Sequence, residues 1–133
     1  MTNADKQFWK HEFGDSLVGY DFTRQEVRFG SHGQGGSQYG WNKDHILPLS
    51  KGGKDNLANQ QITNIATNAE RTDKLTFWID GTLYQVFKVS RFNDDEIPND
   101  PYPYRDNEKK YCIVEIQEEE EEYYAWDPRD DDD

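Results

Sequence analysis

Trp41 to Lys74 reads WNKDHILPLSKGGKDNLANQQITNIATNAERTDK. It places Asp44 and His45 together, Asn59 14 positions after His45, and Asn68 nine positions after Asn59. Asp44-His45-Ile46-Leu47 reads as a strand that stops at Pro48. Ser50-Lys51-Gly52-Gly53 and Asn56 mark a loop. Ile62, Ile65, Ala66 and Ala69 recur at helical spacing, so residues from about 63 to 74 are expected to form a short amphipathic helix, with Thr63 as its N-cap. Asn64, Asn68 and Arg71 would then share a second face, away from the apolar stripe.

Those residue types suit the hydrolysis of a phosphodiester. Such a reaction needs a base for water, a cation for the phosphate charge, and fixed geometry. His45 is the candidate base, because imidazole titrates near neutrality. Mg²⁺, with Mn²⁺ as a substitute, prefers hard oxygen donors and keeps several waters. Asp44 offers a carboxylate oxygen and Asn68 an amide oxygen, a sparse shell that needs no thiolate. Neighbouring side chains on a strand diverge, so a twisted strand end is expected, with Asp44 turned to the metal and His45 to water. Asn59 carries both donor and acceptor and is expected to clamp the loop after His45, fixing the ring. Arg71, Lys74 and Lys51 are the candidate phosphate contacts.

The run D-H-I-L-P-L-S-K-G-G-x-D-N-x-x-N, followed by Asn68, resembles the HNH endonuclease family with its ββα-metal fold, in the variant whose third letter is Asn. The resemblance covers roughly residues 21–74. It implies His45 as general base, Asp44 and Asn68 as metal ligands, Asn59 as the orienting Asn, and a basic residue such as Arg71 near the scissile phosphate. Duplex DNA as substrate is likewise implied by the resemblance. Many family members add two C-x-x-C pairs around a structural zinc. Here Asn64 and Thr67 occupy the positions of the second pair, and the chain has a single cysteine, Cys112, so no structural zinc of that kind is expected. The core must be braced in another way.

Composition divides the chain. Its 133 residues carry a net charge of −12. Residues 1–93 hold 11 Lys and Arg against 10 Asp and Glu, a net of +1, while residues 94–133 hold 4 against 17, a net of −13. The candidate catalytic core is therefore near neutral and the acidity belongs to the C-terminal end. Residues 1–92 are expected to form the nuclease domain, with an N-terminal helix over 1–14 and a β-hairpin extension. Residues 93–116 would be an acidic linker with one further strand, and 117–133 an acidic low-complexity tail.

Strand 25–29 is expected to pair with 41–47, and the helix to cross that hairpin. Thr76 to Val89 contains Asp80-Gly81, the favoured two-residue hairpin turn, and Tyr111 to Ile116 reads as a third strand. The class is thus α+β: a ββα-metal core, an added small antiparallel sheet that braces it, and an acidic tail. Phe77, Trp78 and Tyr84 read as core residues in preference to a base-stacking platform. Gly30 to Ser37 lacks the spacing of a phosphate cradle, and His32 within it is assigned no role. Cys112 lies in an apolar run and reads as a small buried hydrophobe. A lone cysteine fits a reducing compartment, and no apolar stretch suggests a membrane span, so the cytoplasm is the expected location. The competing function is a non-catalytic interaction protein. Its polyanionic end would mimic nucleic acid for a basic partner, or fold back over the substrate groove as an autoinhibitor.

Overall fold

Thr2 opens the first helix. Its hydroxyl accepts from the Asp5 amide at 3.1 Å, and the Asp5 carboxylate accepts from the Thr2 amide at 3.0 Å, a reciprocal cap for α1 (Asn3–Phe13). Gly14, at φ 65°, ends it. This computed structural model describes residues 1–91 and 109–116. The expected acidic linker, up to residue 108, and the tail from 117 lie outside the described residues.

Two short antiparallel pairs follow the helix. β1 (Val18–Tyr20) pairs with β2 (Glu26–Arg28), and β3 (Trp41–His45) pairs with β4 (Gln60–Asn64). The expected pairing of 25–29 with 41–47 is therefore replaced. β4 takes the place beside β3, because Ile62 and Thr63 are β-branched and suit a strand better than a first helical turn. Among the described residues one backbone hydrogen bond, Arg28 N–H to the Tyr39 carbonyl at 3.2 Å, links β2 to the approach of β3.

The second helix, α2 (Ile65–Arg71), starts two residues later than expected, and its N-cap is Asn64 instead of Thr63. The Asn64 side chain accepts from the Ala66 amide at 3.0 Å. The expected apolar stripe is also overturned: Ala66 and Ala69 are exposed, while Thr67 and Arg71 are buried. The helix therefore turns polar groups inward.

β5 (Thr76–Ile79), β6 (Thr82–Lys88) and β7 (Tyr111–Glu115) form the expected antiparallel sheet in the order β5-β6-β7. Asp80 and Gly81, both at positive φ, make the turn. Phe77, Tyr84, Val86 and Ile113 from this sheet bury against Phe22, Ile46 and Leu47, the last two lying just past β3. That contact braces the strand end as anticipated. Cys112 is fully buried on the sheet's other side with Leu83, Phe87 and Val114. Trp78 departs from the core reading, being half exposed.

A second brace stands at the residues read as replacing a zinc pair. Buried Asp21 accepts from the amides of Thr23, Gln25 and Asn64 at 2.9, 3.1 and 3.0 Å. Asn64 Nδ2 donates to the carbonyls of Glu26 and Gln38, and Thr67 meets Thr23 hydroxyl to hydroxyl at 3.4 Å. These hydrogen bonds join the β1–β2 turn to the start of α2. Lys109, just before β7, donates to Glu12 at 3.0 Å and to the Gln60 carbonyl, tying the sheet to α1 and β4. No described helix is long and apolar enough to cross a membrane.

Candidate active site

Alternation along β3 decides which residues meet. Trp41, Lys43 and His45 face one way, Asn42 and Asp44 the other. On the first face Trp41 packs with Trp9, Phe8, Val27 and Ile62, and Lys43 reaches Asp5 on α1 at 3.0 Å. The opposite face is covered by α2. There Asp44 stands across from Gln61, and Asn42 across from Thr63, with Gln61 and Thr63 buried. A helix and a hairpin thus meet through polar side chains. Apolar contact would be the cheaper seam, and departures of this kind concentrate at functional sites.

Arg71 is the centre of that seam. Its guanidinium donates to Asp44 Oδ2 at 3.2 Å, to the His45 carbonyl at 2.9 Å and to the Ile46 carbonyl, and it sits over the Phe77 ring at 5.1 Å. The side chain is only 1% exposed. This corrects the expectation of Arg71 as a phosphate contact: the cation is enclosed and holds the end of β3. Burial raises the Asp44 carboxyl above its ordinary value, and the Arg71 charge opposes that rise. A desolvated carboxylate beside one cation gains further from a second positive charge.

Asn59 bonds the backbone on either side of its loop. It is buried, its Oδ1 accepts from the Leu47 amide at 2.8 Å, and its Nδ2 donates to the Leu47 carbonyl at 2.9 Å and the Lys54 carbonyl at 3.0 Å. Its own carbonyl accepts from the Ile46 amide at 2.9 Å. The chain after His45 is therefore locked on both sides.

His45 keeps 27% of its side chain exposed, enough for water to reach the ring. Its Nε2 lies 2.9 Å from Asp55 Oδ1. The side chains of the two neighbours go to different partners, His45 to Asp55 and Asp44 to Arg71, and so diverge as a strand requires. Asn68 is half-buried one turn before Arg71, and its side-chain amide has no hydrogen-bond partner among the described residues. Lys74, three residues past α2, is exposed, and Lys51, at the end of a 3-10 turn (Leu49–Lys51), is half-buried. Ser50, beside Lys51, donates to Asp73 at 2.8 Å, so the loop after β3 is tied to the end of α2.

No family model, curated protein or solved structure matches the chain.

Among the described residues no three His, Cys, Asp or Glu side chains gather as a metal site. The donors in question are of another type, one carboxylate and one amide. Asp44 is enclosed beside Arg71, and the Asn68 amide has no hydrogen-bond partner among the described residues; a carboxylate and an amide oxygen are donors of the kind a hard divalent cation takes.

Two contributors escaped the sequence reading. Asp55 stands in the G-G-x-D-N part of the quoted run, where no role was read for it. Lys43 had a signal: it lies two residues before His45, and strand alternation puts both on one face. His32, left without a role, packs edge-on against Trp41 at 4.6 Å and approaches Asp5 at 3.9 Å.

Proposed function

We propose that the protein is a metal-dependent HNH endonuclease that hydrolyses phosphodiester bonds of duplex DNA, with β3, β4 and α2 as its ββα-metal core. The observation that carries this reading is Asn59. A buried amide that takes both the N–H and the carbonyl of Leu47 fixes the strand end bearing His45, which is the task an orienting residue must perform. His45 accepts a proton from water at its exposed ring. Asp44 and Asn68 would hold Mg²⁺ or Mn²⁺. The ion, when bound, neutralises charge on the phosphate and on the departing 3′ oxygen. Arg71 presents Asp44 and stiffens the strand end. Lys74 and Lys51 are left to meet backbone phosphates.

A plasmid-nicking assay with Mg²⁺ or Mn²⁺ tests the reading. Wild type converts supercoiled DNA to nicked or linear forms. His45→Ala and Asn68→Ala lose at least about 100-fold in rate, the scale of a positioned base, while retaining wild-type unfolding curves. A folded wild-type protein that nicks nothing with either ion overturns the assignment and leaves the interaction-protein account.

A further inference from the structure

We infer that Asp55 is a positioning residue that selects the nitrogen through which His45 works. The inference rests on the endonuclease reading and extends it to a residue which that reading leaves without a role. An ionised carboxylate only accepts hydrogen bonds. The 2.9 Å contact between Asp55 Oδ1 and His45 Nε2 therefore places a hydrogen on Nε2. In the neutral ring Nδ1 is then the lone-pair atom. Nδ1 has no hydrogen-bond partner among the described residues and the His45 side chain is 27% exposed, which leaves Nδ1 to meet water. In the step that follows, water gives its proton to Nδ1 and the resulting hydroxide attacks phosphorus. The bond to the 3′ oxygen breaks, and that oxygen takes a proton from solvent. The Asp55 carboxylate beside Nε2–H offsets the charge of the imidazolium.

The loop is built to hold this pair together. Asn59 Nδ2 bonds the carbonyls of Leu47, two residues after His45, and of Lys54, one residue before Asp55. One buried amide thus sets the spacing between ring and carboxylate. Gln60, the cross-strand partner of His45, donates to the same Asp55 oxygen at 3.2 Å. The His45 bond is the largest of the influences that hold the Asp55 carboxyl below its ordinary value, which keeps it an acceptor.

Asp55 is 73% exposed, so its replacement leaves the fold intact and permits a clean test. Plasmid nicking is measured across DNA concentrations for wild type, Asp55→Asn and Asp55→Glu. A carboxylate acting only through its charge repels DNA, and removing it would lower KM and speed the reaction at low substrate. A positioning residue behaves otherwise: Asp55→Asn loses about 10- to 100-fold in kcat without a rise in KM, and Asp55→Glu recovers most of the loss. An Asp55→Asn rate within twofold of wild type, or a faster one, overturns the inference while leaving the endonuclease reading in place. A wild-type protein without activity overturns both.

Discussion

A single methyl group at Gly53 would fall 1.9 Å from the Leu47 carbonyl oxygen and 2.8 Å from Asn59 Nδ2. Both atoms belong to the clamp behind His45, and backbone cannot yield as a flexible side chain would. Gly53→Ala is therefore expected to cost about 1–3 kcal/mol in urea unfolding and to reduce nicking further, because the strained atoms lead directly to the ring. Gly35→Ala meets nothing within 4 Å and serves as the neutral control. Equal unfolding midpoints for the two variants would contradict the clamp. Asn59 was legible in the sequence because a loop Asn between Gly-rich and Asn-rich turns has few ways to satisfy its amide other than by bonding backbone. Asp55 was not. One exposed carboxylate among several looks like solvated surface until the loop's closure brings it to His45.

Helix α2 shows where periodic reading fails. Ile62, Ile65, Ala66 and Ala69 match a helical stripe, yet Ile62 belongs to β4 and the two alanines face solvent. Period alone cannot tell a strand running into a short helix from one longer helix. The pattern also misses burial driven by a buried ion pair. Arg71 on a nominally polar face reads as free, whereas it bonds Asp44 and two carbonyls at the end of β3. Two predictions belong here. Arg71→Ala leaves the buried Asp44 carboxylate without its cation and two carbonyls without their donor, and is expected to destabilise the protein by about 3–5 kcal/mol in denaturant unfolding. Lys74→Ala, at an exposed position, changes stability by less than about 0.5 kcal/mol and weakens DNA binding in a salt-dependent way. An Arg71→Ala protein as stable as wild type would return Arg71 to the phosphate.

Across the whole molecule, the strong local signals held: the helix expected over 1–14, the Asp80-Gly81 hairpin and the strand from Tyr111 lie where the sequence placed them. The pairing of β3 was harder to read, because nothing local distinguishes β2 from β4 as its neighbour. Charge adds a dependence on pH. The Asp5 carboxyl is held well below the usual carboxylate range, chiefly by the Thr2 amide and then by the Lys43 ammonium. Its contribution to stability is complete above the unfolded value of about 3.9 and is lost as pH falls from there through the lower folded value. Asp5→Asn should accordingly flatten the acid limb of the stability curve below about pH 4, as measured by urea unfolding. The net −13 of residues 94–133 acts at longer range. Removing 117–133 is expected to raise nicking several-fold at low salt, with the gap closing as salt rises. Unchanged or reduced activity would remove the autoinhibitory role. The central claim is that Asp44 and Asn68 share one divalent ion within reach of His45. A crystal of His45→Ala with a short DNA duplex and Mn²⁺ tests it by anomalous scattering. The account predicts one strong peak bound by an oxygen from each of Asp44 and Asn68 and by a backbone phosphate. No peak there, or a peak touching neither residue, would contradict it.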